Sequence, residues 1–180
     1  MPCDAKVDEV TSVRRIETER LIIRPIQIDD AHEVFEWAED PEVNKFMPYP
    51  LHNSVSQAEE WIRSLGEDKN EFVFCLKDSG EVIGGISMSY HDEYEAYELG
   101  YNMKRKYWGI GYATEASKAL IQWAYEELGV HDFFAKHANA NHASGNVIRK
   151  CGFQFENYGK VTKYDGSESF DASCYRLHIE

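Results

Sequence analysis

No apolar stretch in these 180 residues approaches the roughly 20 needed to cross a bilayer, so no membrane-spanning segment is expected. The first ten residues, Met1 to Val10, are acidic and hold no apolar core segment, so no secretory leader is expected and the expected location is the cytoplasm. Bases are scarce. Nineteen Lys and Arg face thirty-two Asp and Glu, a net charge of −13, which argues against a nucleic-acid partner because phosphate contacts need a basic face. The same acidity suits a cationic substrate such as an amine, and it is equally a common solubility device. Cys3, Cys75, Cys151 and Cys174 contain no Cys-x-x-Cys spacing, so reduced and mostly buried thiols are expected. The seven histidines include no His-Glu-x-x-His pair. His137 and His142, on a strand end and a loop, offer no ligand geometry, so no metal is expected. There is no internal repeat and no long linker. A chain of this length buries roughly 70% of its unfolded surface as one domain, whereas two domains would each be small.

What is present reads as alternating strands and helices. Residues 1–15 form a lead with little expected order, and residues 16–180 a single domain. Leu21 to Arg24 make a first strand, ended by Pro25. Asp29-Asp30 then cap a helix through Glu39, with Ala31, Val34, Phe35 and Ala38 at helical spacing. Pro41 opens a short turn from Glu42 to Phe46, and Met47-Pro48-Tyr49-Pro50 reads as a loop. Ser56 is the expected cap of a helix through Leu65. Strands follow at Glu71–Lys77 and Val82–Tyr90, joined by the turn Asp78-Ser79-Gly80, and at Ala96–Met103. An amphipathic helix from Ala113 to Leu128 places Ala116, Ala119, Leu120, Trp123 and Ala124 inward and stops at Gly129. A strand Asp132–Ala138, a helix Ala143–Lys150 closed by Gly152, and strands Phe153–Tyr158 and Ser169–Leu177 complete an α/β domain with a mixed sheet.

The most informative segment is Tyr107-Trp108-Gly109-Ile110-Gly111-Tyr112-Ala113-Thr114-Glu115-Ala116. It joins a strand to a helix through two glycines, which admit positive φ and let backbone N–H groups face outward. The helix start adds its own unpaired N–H groups and the positive end of its dipole. Together they suit an anion, most naturally a pyrophosphate; the alternative is an ordinary strand–helix turn. The common nucleotide loops are excluded. No Gly-x-x-x-x-Gly-Lys-Ser/Thr string occurs. The dinucleotide fingerprint needs a third glycine where Thr114 stands, which argues against a nucleotide-dependent oxidoreductase. Lys104-Arg105-Lys106 precede the loop, a cation cluster that complements a phosphate or simply faces solvent. Downstream lies Asn141-His142-Ala143-Ser144-Gly145-Asn146-Val147-Ile148-Arg149-Lys150-Cys151-Gly152-Phe153.

The element order and four ordered motifs resemble the GCN5-related N-acetyltransferase (GNAT) superfamily, and within it the ribosomal-protein alanine and serine N-acetyltransferases. The motifs are Thr18-Glu19-Arg20-Leu21-Ile22-Ile23-Arg24-Pro25, Glu98-Leu99-Gly100-Tyr101, Gly109 to Ala116, and Asn141-x-x-Ser144-x-x-Val147-x-x-Lys150-x-Gly152-Phe153. The resemblance covers roughly residues 16–178. It implies a mostly antiparallel mixed sheet flanked by helices, with a splayed strand pair that holds coenzyme A. It further implies acetyl transfer from acetyl-CoA to a primary amine, either a protein N-terminus or a small molecule, and a homodimer is compatible with it. The expected CoA site comprises Lys106, Trp108, Gly109, Ile110, Gly111, Tyr112, Ala113 and Thr114, with Met103, Lys104, Asn141 and Asn146 beside the pantetheine arm. Lys106 stands where the family usually has Gln or Arg, so the charge is kept but the planar fork is lost.

Amine attack on a thioester needs a neutral amine, an oxyanion donor and a proton for the leaving thiolate. Glu98, on the strand beside the expected splay, is the candidate base, with apolar neighbours expected to raise its pKa; the alternative is a solvent-facing strand residue. Backbone N–H groups near Tyr101 to Met103 are candidate donors to the thioester carbonyl. The tyrosine acid common in the family is replaced by Ile148. The resemblance to the ribosomal-protein branch implies Ser144, in the Asn-x-x-Ser motif, as the acid, with capping of the following helix as its alternative or additional role. The expected acceptor pocket draws on Trp37, Phe46, Met47, Tyr49 and Trp61 with Tyr101 opposite, each of which could equally be core. Glu36, Glu39 and Asp40 are candidates for selecting a cationic amine, or surface charges. A competing reading of the whole chain is a non-catalytic acyl-CoA-binding sensor of the same fold.

Overall fold

The computed structural model describes residues 15–66 and 70–180. Most of the expected lead, and Cys3 with it, lie outside the described residues. Strands β1 (Ile16–Glu17), β2 (Leu21–Pro25), β3 (Glu71–Leu76), β4 (Val82–His91), β5 (Ala96–Met103), β6 (Asp132–Ala138), β7 (Gln154–Thr162) and β8 (Ser169–His178) form one sheet. Its order is β1-β2-β3-β4-β5-β6-β8-β7. Every neighbouring pair is antiparallel except β5 and β6, which are parallel. The mixed, mostly antiparallel sheet expected from the sequence is what forms.

Alternation along the strands divides the apolar residues between two faces. Leu21, Ile23, Phe72, Phe74, Met88, Leu99 and Phe133 pack on one face against helix α4 (Tyr112–Leu128), through Ala116, Leu120 and Ala124. Helix α5 (His142–Lys150) adds Ile148 to that side. Val73 and Cys75 meet helices α1 (Ala31–Ala38) and α3 (Val55–Ser64) on the other face, through Val34, Trp37, Ala58 and Ile62. Helix α2 (Pro41–Asn44) is a single turn capped by Asp40. Among the described residues no helix is long and apolar enough to cross a membrane. Cys75, Cys151 and Cys174 are free thiols, two of them buried.

Local chemistry departs from expectation at several points. The two-residue strand β1 lies at the start of the domain, where no pattern that short is legible. Asp30 does not cap α1 with its side chain. A 3-10 turn, Ile28–Asp30, precedes the helix, and the Asp30 carboxylate instead takes both arms of Arg24 at 2.7 and 2.8 Å together with the N–H of Gln27. Helix α3 is capped by Ser54 rather than Ser56: Ser54 Oγ accepts from Gln57 N, and Gln57 Oε1 accepts from Asn53 N. Ala119 and Trp123 of α4 are only partly buried.

Candidate functional site

β5 and β6 keep register over only two pairs, Tyr97 with Phe133 and Glu98 with Phe134. Beyond Glu98 they part, while β6 stays paired with β8 to Ala138 and β5 with β4 to Met103. Lys104 N donates to Ile83 O. Antiparallel alternation therefore turns the backbone groups of Met103, Tyr101 and Leu99 away from β4, toward the gap. Met103 O is taken there by the Trp108 indole N–H at 2.9 Å, while the N–H groups of Tyr101 and Met103 face the opening. A cavity of about 900 Å³ runs through this splay from the loop at Gly109–Gly111 to the Met47–Tyr49 segment.

At the loop end, Gly109 and Gly111 have φ of 77° and 98°, and Gly111 is the residue from which α4 starts. No side chain caps that start. Among the described residues the N–H groups of Gly109 to Thr114 find no acceptor, so they remain free to meet an anion. The loop is braced from behind. Glu115 accepts from Thr18 Oγ1, Arg20 N and Arg20 Nε, and the Arg20 guanidinium lies over the Tyr112 ring. The cation cluster is engaged elsewhere, contrary to the complementarity argument. Lys104 is buried and pairs with Glu36 at 2.8 Å, Lys106 pairs with Glu81 at 2.8 Å, and Arg105 with Asp40 at 3.1 Å. Neither Lys104 nor Lys106 borders the cavity, and nor does Tyr112, whereas Met103, Trp108, Gly109, Ile110, Gly111, Ala113, Thr114, Asn141 and Asn146 do. Glu36 and Asp40, considered for amine selection, are spent on these pairs.

At the waist, Tyr101 of β5 meets Ser144 of α5. The tyrosine hydroxyl donates to Ser144 O at 2.9 Å, which leaves its lone pairs to accept from Ser144 Oγ at 2.8 Å. Burial pushes the Tyr101 phenol upward, so it stays a neutral partner. Ser144 is not the helix cap. Asn141 holds that position, its Oδ1 accepting from Ser144 N at 3.2 Å. Asn146 Oδ1 accepts from Arg149 at 2.7 Å. Glu98 borders the cavity, but its neighbours are not apolar: Lys136 stands 3.5 Å from one carboxylate oxygen and His91 3.2 Å from the other.

At the far end, the aromatics divide. Trp37 is core that touches the cavity, at 2% exposure. Phe46 packs edge-on against Phe170 of β8. Tyr49 accepts at its hydroxyl from Asn102 Nδ2, and its phenol is pushed upward by burial. Met47 and Trp61 complete the wall. This wall also holds a carboxylate that sequence reasoning missed, Glu71, the first residue of β3, whose carboxyl burial pushes up to about 8. A strand-end glutamate has no sequence signature that separates it from a solvated one. Lys163, from the β7–β8 turn, is buried against Asn44 O, Asn44 Oδ1 and Met47 O. Among the described residues no group of three or more His, Cys, Asp or Glu is placed to hold a metal ion.

A model of the acetyltransferase (GNAT) domain matches residues 20–154. The chain is 33% identical over 168 residues to the uncharacterized N-acetyltransferase p20 of Bacillus licheniformis, covering 90% of this chain and 93% of that protein. It is 27% identical over 157 residues to the ribosomal protein uS5-alanine N-acetyltransferase of Escherichia coli strain K12, covering 81% of each. The solved GNAT-family acetyltransferase from Bacillus anthracis superposes with a TM-score of 0.81 at 27% identity, over 91% of this chain and 98% of that one. The microcin C7 self-immunity acetyltransferase MccE, solved with acetyl-CoA and AMP, shares the fold, with a TM-score of 0.76 at 21% identity over 90% of this chain and 94% of that one.

Proposed function

The chain belongs to the GNAT acetyltransferase family, an acetyl-CoA-dependent acyltransferase fold, and from that premise we propose that it acetylates a primary amine by direct attack within a ternary complex. The observation that carries this is the combination of the β5–β6 splay with the open N–H groups at Gly109–Thr114. The pyrophosphate of acetyl-CoA binds at those N–H groups, and the pantetheine arm lies in the splay beside Met103, Asn141 and Asn146. The Tyr101 and Met103 N–H groups polarise the thioester carbonyl. Glu98, held by Lys136 and His91, takes the ammonium proton through water, and the neutral amine attacks the carbonyl carbon. As the tetrahedral intermediate collapses, the C–S bond breaks and the thiolate takes a proton from Ser144 Oγ. The serine must turn off Tyr101 to give it, and regains one from the nitrogen through solvent. The uS5-alanine relative supports a protein N-terminus among the acceptor classes.

Binding is the first test. Acetyl-CoA at a hundred times its Kd should stabilise the fold by about 2.7 kcal/mol, read as a rise in melting temperature. No shift at millimolar acetyl-CoA would remove the proposal. Ser144→Ala separates catalysis from structure, because the capping oxygen belongs to Asn141 and survives the change. A fall in kcat of about tenfold or more is expected, with little change in melting temperature. Wild-type kcat in a variant of lowered melting temperature would take Ser144 out of the mechanism. A non-catalytic sensor would bind acetyl-CoA yet release no thiol with any amine.

A further inference from the structure

Residues of one sheet face lead from the splay to the far wall. Glu71 stands two positions before Val73, which packs toward α1 and α3, so alternation puts Glu71 on that face as well. Its register partner on β4 is Ser87, and the partner of Ser87 on β5 is Gly100, at the mouth of the splay. Between Glu71 and the gap there is thus one small hydroxyl and one residue without a side chain. Two strand spacings separate Glu71 from Gly100, roughly 10 Å of sheet, of which the glutamate side chain spans part. Glu98 lies on the same face beside the gap, already paired with Lys136 and His91. The Glu71 carboxylate has no hydrogen bond or ion pair among the described residues, although the residue borders the cavity, whose lining also includes Tyr49, Tyr164 and Trp61.

We propose that Glu71 is the specificity-determining residue for the acceptor, pairing with a second cationic group of an amine whose reacting nitrogen lies at the splay. This rests on the acetyltransferase reading and narrows its substrate to diamines and similarly spaced dications, a lysine-like side chain near a peptide amine included. An uncompensated carboxylate in this enclosure is costly, as its raised pKa records, and a seated ammonium offsets that cost. The test compares putrescine with butylamine and cadaverine with pentylamine, in the wild type and in Glu71→Gln, with acetyl-CoA affinity and circular dichroism measured on each preparation. The wild type should favour each diamine over its monoamine by about ten- to a hundredfold in kcat/KM, the scale of one hydrogen bond to a charged group. In Glu71→Gln the two ratios should fall to near one. Equal use of diamine and monoamine by the wild type, or a preference that survives in Glu71→Gln, overturns the proposal. So does the absence of turnover with all four amines while acetyl-CoA still binds. Failure of acetyl-CoA to bind would instead strike the acetyltransferase reading. If Glu71→Gln does not fold, Glu71→Asp should keep the charge and part of the preference.

Discussion

Gly111→Val should abolish measurable acetyl-CoA binding while leaving the protein folded. Gly111 sits at φ 98°, a conformation that a β-branched residue adopts only under strain. An added Cβ would meet only the Arg20 guanidinium at 3.6 Å, so the packing around the loop does not forbid the substitution. The strain, about 1 to 3 kcal/mol, is relieved if the loop reshapes, and reshaping scatters the N–H groups that converge on one anion. Losing two hydrogen bonds to a charged phosphate weakens binding by at least about a hundredfold. Calorimetry beside circular dichroism reads both halves of the expectation. Unchanged affinity would mean that the loop is a turn and nothing more.

Glu98→Gln should lower turnover by about ten- to a thousandfold with little loss of acetyl-CoA affinity, the scale of one positioned base. The isosteric amide keeps the strand and its pairing with Ser89 and Phe134. It removes the negative charge that Lys136 and His91 hold beside the splay, and with it the site that receives the amine proton. The acidic limb of the pH–rate profile should change as well. Full activity from pH 6 to 9 would leave Glu98 as the centre of an ion-pair cluster without a part in the chemistry.

The parts of the molecule governed by local chemistry were legible in its sequence. Apolar periodicity, Gly129 after α4 and Gly109-x-Gly111 before it placed the core helix and the loop, because each is decided within a few residues. Parts decided across the fold were not. Lys104-Arg105-Lys106 read as free cations because Glu36, Asp40 and Glu81 come to them only through tertiary packing. Glu98 read as a carboxylate in an apolar setting because its neighbours in sequence are Tyr97 and Leu99, whereas its neighbours in space are His91 of β4 and Lys136 of β6. The sequence pointed to Ser144 as the cap of α5, and only the backbone geometry before α5 gives that role to Asn141. Glu71 was invisible for the converse reason, since its significance lies in partners it lacks.

The Lys163 contact carries a consequence for assembly. Tyr164 N also donates to Pro48 O, so the last hairpin is clasped to the segment after α2, with well over half of the chain looped between them. Contacts of such sequence separation are slow to form, because the loop's entropy is lost before the contact returns anything. The sheet pairs β3–β4 and β4–β5, by contrast, close between near neighbours in sequence. A nascent chain that has emerged only as far as α4 already contains the glycine loop, yet the far wall of the cavity, with Val161, Thr162 and Tyr164, awaits the final hairpin. The glycine turn is therefore made well before the cavity it opens into can close, and the last hairpin to leave the ribosome is the one that seals the far wall.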